Sequence, residues 1–234
     1  MIEKNLFQSW HTRKLHPDVY KKIDFFRKLN PEYTYSLFTD EDMDRFVNEY
    51  FVGEIADAYN KLNIIVAKVD FWRYLVLYKF GGVYLDMDSS IEKPLHQLIR
   101  DEDVAIITSE GNLVYYVQWA LIFAKGHPIL RRTIALIVEN IKTNKFPNEI
   151  HKMTGPSVYS LAINEIHSEF FDNSICLKDV NAETDIIYKT NAISYRLYGV
   201  DYSPFFKFKH SSANLLYTGK KHWTQEEKEK KLLK

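Results

Sequence analysis

The chain has 234 residues, with 31 Lys plus Arg against 31 Asp plus Glu, 46% hydrophobic side chains and 15% aromatic ones. That length buries a sizeable core as one domain, its apolar content excludes intrinsic disorder, and a balanced charge with no basic stretch interleaving aromatics excludes a nucleic-acid groove. Cys176 stands alone, which excludes an intrachain disulfide and a cysteine-based metal site.

Residues 2–10 read as a first strand, which leaves no room for a signal peptide, and no apolar run reaches the roughly 18 residues of a membrane span. A cytoplasmic protein is therefore expected. Residues 18–29 predict a helix with Phe25, Phe26 and Leu29 inward, and 33–38 a strand. Asp40 is expected to cap a helix running to about Tyr50, with acids in its first turn favoured by the helix dipole. A short helix over 54–62 precedes a nearly all-apolar helix that stops at Gly81-Gly82, followed by a strand at 83–85. Residues 104–108 and 119–123 read as strands. Pro128 sits near the start of a helix to about Lys142, where proline is tolerated, and Pro156 opens another through about Ile166. Residues 175–177, 186–188 and 193–197 are strand-like. Alternation of this kind predicts an α/β domain over 1–223 with a mainly parallel sheet. Residues 224–234, TQEEKEKKLLK, form a charged tail, expected as a solvated helix or frayed end. Its lysines, with Leu232 and Leu233, could touch an anionic membrane surface.

The chemistry concentrates in IIVAKVDFWRYLVLYKFGGVYLDMD, residues 64–88. Asp70 and Arg73 share one face of a helix whose other positions are apolar, so both are costly to bury unless paired or facing a polar cleft. A structural ion pair between them is the plain alternative. After the Gly-Gly turn, a strand ends in Asp86 and Asp88, which alternation sends to one side while Met87 points away. Two carboxylates so close repel, and a divalent cation relieves the repulsion. Hard oxygen ligands suit Mg²⁺ or Mn²⁺, which also take oxygens from a substrate phosphate. A metal–diphosphate site is the reading these residues favour, against a solvated turn.

The pattern Ala67-x-x-Asp70-x-x-Arg73-Tyr74-x-x-Leu77-x-x-x-Gly81-Gly82-x-Tyr84-x-Asp86-x-Asp88 resembles the Asp-x-Asp region of family 32-type glycosyltransferases. IEKNLFQSWHT is similar to the family's opening strand, and NPEYTYSLFTDEDMDRFV, AKGHPILRRTI and TGPSVYSLAI to later blocks, so the likeness runs over residues 2–223. It implies a GT-A-type nucleotide-binding fold and a hexosyltransferase that uses Mn²⁺ (or Mg²⁺) and a nucleoside-diphosphate sugar, UDP-linked in preference to GDP-linked. The acceptor it implies is a glycan or polysaccharide, such as a capsule.

Position by position, the resemblance implies that Asp88 binds the metal directly and that Asp86 meets the donor ribose or sugar and the metal through water. Asp70 and Arg73 would hold the donor sugar, Tyr84 would line the ribose pocket and Trp10 would stack on the base. Two places depart from the pattern. Either His210 or His222 would complete the metal shell, His222 being preferred because it adjoins Trp223, whose counterpart contacts the donor phosphates. Gln118 stands where relatives place a donor-contacting Asn. Relatives transfer with retention, which needs no separate base; an inverting enzyme would need one, with Asp40, Glu110 and Glu149 as candidates. Ser90, two residues after Asp88, also fits the nucleophile motif of haloacid dehalogenase-type phosphatases, although about 85 residues precede it here and no later Gly-Asp-x-x-x-Asp cluster follows. A nucleotide-sugar-binding module without catalysis is the other rival reading.

Overall fold

The computed structural model describes residues 1–217 and 229–234. In chain order the elements are β1 (Asn5–Ser9), α1 (Pro17–Leu29), β2 (Thr34–Phe38), α2 (Asp40–Tyr50), α3 (Glu54–Lys61), α4 (Ile65–Phe80), β3 (Gly82–Leu85), β4 (Ser90–Ile91) and β5 (Ala105–Ser109). They continue with β6 (Ala120–Phe123), α5 (Pro128–Lys142), α6 (Ile150–Met153), α7 (Pro156–Phe170), β7 (Asp185–Lys189), β8 (Ser194–Val200) and β9 (Phe206–Lys207).

Seven strands form one sheet in the order β2-β1-β3-β6-β5-β8-β7, and β4 pairs with β9 apart from it. β1 runs parallel to β2 and to β3, and β5 parallel to β8; β3–β6, β5–β6 and β7–β8 are antiparallel. The sheet is therefore mixed, which corrects the mainly parallel one that alternation predicts. The reason lies in the connections: no helix separates β5 from β6 or β7 from β8, and a parallel return needs a crossover of about a dozen residues or more.

Alternation along the strands sorts the two faces. Phe7, Tyr84, Leu121, Phe123 and Ile107 join the core beneath α2 to α5 and α7. Leu6, Val83, Leu85, Ile122 and Ile106 join a second core with α1. α4, apolar all round, is the buried helix its sequence predicts, with Phe71, Trp72, Tyr74, Leu75, Val76 and Leu77 fully enclosed. β1 and β3 approach closely at Gly82, whose φ is 115° and where a Cβ would lie 2.5 Å from the Asn5 carbonyl oxygen. Only glycine meets both conditions.

Several local expectations are corrected. α1 begins at Pro17 under a His16 cap, and its inward stripe is Val19, Ile23 and Phe26, leaving Phe25 exposed. Thr39, not Asp40, caps α2: its hydroxyl accepts from the Asp42 amide while the Asp42 carboxylate accepts from the Thr39 amide. Residues 175–177 form no strand; the chain takes a 3-10 turn at Leu177–Asp179 instead. The end of the charged tail folds back. Leu232 is 2% exposed, Leu233 bridges Leu62, and the Asn63 amide donates to the Leu232 carbonyl. The buried Leu232 side chain is thus not available to a lipid surface. Among the described residues, no helix is long and apolar enough to cross a membrane.

His127 caps α5 and couples its stability to pH. Nδ1 accepts from the Ile129 amide at 3.2 Å, and Nε2 donates to the Ser194 carbonyl at 2.9 Å. Only the neutral ring does both. Burial, partly offset by the Ser194 bond, pushes its pKa down to about 4. The folded state therefore resists protonation that the unfolded chain accepts at about 6.5. The stabilisation is complete above that value and is lost as pH falls towards 4. Thermal unfolding should show Tm dropping across that window in the wild type, and less steeply in His127→Asn; equal slopes would refute the assignment.

Candidate functional site

The carboxyl ends of β1, β2 and β3 lie side by side, and the site is built there. β3 stops at Leu85, and residues 86–89 form a turn closed by the Ser89 amide donating to the Asp86 carbonyl at 3.0 Å. Asp86 and Asp88 are thus brought together by a turn, which corrects the strand alternation expected of them. Met87 between them is buried in the core beneath α1's side of the sheet. Two further bonds pin the Asp86 backbone: its amide donates to the Trp119 carbonyl at 2.7 Å, and its carbonyl accepts from Gln8 Nε2 at 3.1 Å. Gln8 is itself held by Tyr35 Oη at 3.0 Å.

Arg73 is the hub. Its Nη2 lies 3.1 Å from Asp70 Oδ1 and 3.3 Å from Asp86 Oδ1, its Nη1 donates to the Gln118 carbonyl at 3.0 Å, and its guanidinium sits 4.7 Å from the Tyr84 ring centroid. Tyr84 Oη donates to Asp86 Oδ1 at 2.6 Å. α4 supplies Asp70 and Arg73 one turn apart, and the Gly81-Gly82 turn sets β3 beside them. One cation thus serves two carboxylates in a largely enclosed place. Burial, partly offset by Arg73 and reinforced by the Asp88 charge, pushes the Asp86 carboxyl up to about 6. Burial also pushes Asp70 up, against Arg73, Thr154 and Gln118.

Asp88 has no cation among its described partners. Its Oδ2 accepts from Tyr217 Oη at 3.0 Å and its Oδ1 from Ser89 Oγ at 3.2 Å, while its carbonyl accepts from the His210 amide. Two carboxylates in one turn would be a donor set that a hard divalent cation fits. Among the described residues no group of three or more His, Cys, Asp or Glu is arranged to hold a metal. His210, one of the two candidates for the metal shell, meets this turn through its backbone amide. It is 4% exposed, its Nδ1 accepts from the Ser212 amide, and its Nε2 donates to the Met87 carbonyl at 3.3 Å, so both nitrogens are committed to backbone. His222 and Trp223 lie outside the described residues.

Trp10 follows β1, and its ring meets Tyr217 edge to face at 5.8 Å, which sets an aromatic wall beside the Asp88 carboxylate. Gln118 Nε2 donates to Asp70 Oδ1 at 3.2 Å and to Tyr74 Oη at 2.7 Å. Thr154, Tyr217 and Gln8 enter the site without having been singled out in the sequence. Thr154 opens a recognisable Thr-Gly-Pro block, but nothing in the spacing shows that it reaches Asp70. Of the alternative bases, Glu149 is exposed and paired with Lys152 at 2.6 Å, Glu110 accepts from Asn112 at 2.7 Å, and Asp40 opens α2. Ser90 Oγ donates to Glu92.

Residues 16–105 match the family described as "Glycosyltransferase sugar-binding region containing DXD motif". The chain is 26% identical over 179 residues to the initiation-specific alpha-1,6-mannosyltransferase of Candida albicans, covering 65% of this chain and 46% of that protein. It is 29% identical over 161 residues to inositol phosphoceramide mannosyltransferase 3 of Schizosaccharomyces pombe, covering 68% of this chain and 44% of that one. The chain therefore spans about half the length of the curated relatives it matches. The PaToxG glycosyltransferase structure superposes with a TM-score of 0.54 over 73% of this chain and 71% of that one, at 19% identity, a likeness of fold. The α/β architecture, with its mixed central sheet, is of the GT-A type.

Proposed function

We propose that the chain is a glycosyltransferase built on the sugar-binding region that contains the DXD motif, moving a hexose from a nucleoside-diphosphate sugar to a glycan hydroxyl, with a divalent cation and with retention. The match over residues 16–105 supports this reading over the phosphatase one. The observation that carries the proposal is the Asp70–Arg73–Asp86 network at the end of β3, one turn-residue away from Asp88.

Asp88, with Asp86 beside it, would hold Mn²⁺ or Mg²⁺ together with oxygens of the donor. That cation would supply Lewis-acid neutralisation of the departing diphosphate. Asp70 and Arg73 orient the sugar, an acid accepting from hydroxyls and a guanidinium donating to sugar or phosphate oxygens. Trp10 offers its face to the base. In a front-face transfer the C1–O bond to phosphate breaks and the bond to the acceptor oxygen forms on the same side. The acceptor proton passes to the departing phosphate oxygen, so no carboxylate base is required. The two named relatives are mannosyltransferases by name, which puts mannose among the sugars to test beside glucose and galactose. A UDP-linked donor is favoured over a GDP-linked one.

Thermal unfolding of the wild type with UDP, GDP or CMP, each with and without Mn²⁺, tests this reading. Ligand at about 100 times its dissociation constant adds about 2.7 kcal/mol, or roughly 5–10 °C in a chain of this size. A Mn²⁺-dependent rise with one nucleotide is expected. No rise with any of them, or rises indifferent to Mn²⁺, would overturn it.

A further inference from the structure

Asp70 is gripped from two sides. Its Oδ1 accepts from Arg73 Nη2 at 3.1 Å and from Gln118 Nε2 at 3.2 Å; its Oδ2 accepts from Thr154 Oγ1 at 3.3 Å. A carboxylate has about four acceptor sites, so this arrangement fills three. Gln118 spends both amide protons, the second on Tyr74 Oη, and Tyr74 is fully buried and stacked on Tyr159 at 5.6 Å. The Thr154 hydroxyl has one proton and a second acceptor within reach, the Ile150 carbonyl at 3.4 Å. The charged oxygen is the stronger acceptor and takes it. Thr154 is fully buried in the turn between α6 and α7, and this turn folds tightly onto the His151 backbone because residue 155 is glycine. A Cβ there would stand 2.9 Å from His151 Cα and 3.4 Å from Asp70 Oδ2.

We propose that Thr154 and Gln118 are positioning residues that lock the Asp70 carboxylate in one orientation, leaving a single acceptor site on Oδ2 for one hydroxyl of the donor sugar. The inference rests on the reading that Asp70 meets that sugar. A free carboxylate would rotate and accept from two vicinal hydroxyls in several registers. A locked one holds the sugar in the orientation that points C1 at the acceptor, with the ordering cost met at folding. Gln118 then selects the sugar through Asp70 rather than by touching it.

Thr154→Val removes the hydroxyl and keeps the shape; Thr154→Ser keeps the hydroxyl. Calorimetric binding of UDP, UDP-glucose and UDP-galactose, and of GDP and GDP-mannose, all with Mn²⁺, gives the affinity of each nucleotide-sugar relative to its bare nucleotide. In Thr154→Val that ratio should fall about tenfold while the bare nucleotide binds as before, since one hydrogen bond to a charged group is lost and the nucleotide contacts are not. Release of free sugar from the same donor should slow in parallel. Thr154→Ser should restore both, and Gln118→Met should repeat the loss if Thr154→Val fails to fold. An unchanged ratio, an equal loss for the bare nucleotide, or no recovery in Thr154→Ser would overturn the proposal. A wild type that binds none of these ligands would instead overturn the donor-site reading, and this inference with it.

Discussion

Asp88→Ala is expected to abolish Mn²⁺-dependent nucleotide binding and to lower turnover by about 10² to 10³ or more, the range found when one preorganised electrostatic contact to a reacting centre is removed. The fold should survive. The described partners of the Asp88 side chain are two hydroxyls, Tyr217 Oη and Ser89 Oγ. Tyr217 is 43% exposed, so water replaces the lost acceptor, and no buried cation is left behind. The melting temperature without ligand should stay within a few degrees of the wild type, as for substitutions that open no cavity and orphan no charge. The wild-type rise with Mn²⁺ and nucleotide should vanish, and chelation of the metal should reduce the wild type to the same state. A variant that keeps that rise would remove Asp88 as a metal ligand. One that unfolds would show the carboxylate to be structural.

The parts of this site that were legible in the sequence share one property: their partners lie close in the chain or follow from periodicity. Asp70 and Arg73 are one helical turn apart, and Gly81-Gly82 announces the end of α4 and the strand beside it. The close grouping of Asp86 and Asp88 was legible too, although a turn rather than an extended strand produces it. What stayed hidden depends on contacts between distant segments. Thr154 reaches Asp70 across 84 positions and Gln118 across 48, and no local pattern encodes which carboxylate a buried hydroxyl will meet. The two backbone partners of the His210 ring, at residues 87 and 212, were hidden in the same way. In the fold, β4 and β9 have two residues each, too few for any period to register. The mixed sheet follows from loop lengths after β5 and β7, which alternation of element types does not reveal.

Arg73→Met should separate the stability of the site from its chemistry. The guanidinium is the cation for both Asp70 and Asp86, and side-chain exposure is only 6% for Arg73 and 7% for Asp70. Removing it leaves Asp70 charged and buried without a cation, and breaking a buried pair in this way costs about 3–5 kcal/mol. For a chain of this size each kcal/mol moves Tm by about 2–4 °C, so a fall of roughly 6–20 °C is expected in a thermal melt. Arg73→Lys should recover little, because one ammonium cannot reproduce two carboxylate contacts, a carbonyl contact and the Tyr84 ring contact at once. The triple variant Arg73→Met, Asp70→Asn, Asp86→Asn removes the charges that the single variant strands. Its melting temperature should return most of the way to the wild type, since replacing a whole buried ion network is often neutral or stabilising. Neither variant should transfer sugar, because both lack the groups that orient it. The opposing possibility is that burial, which pushes the Asp70 carboxyl up, leaves it protonated once Arg73 is gone. In that case Arg73→Met would melt within a few degrees of the wild type, and the triple variant would gain nothing over it. The gap between the single and triple variants measures how much of the cost of this site is the burial of charge.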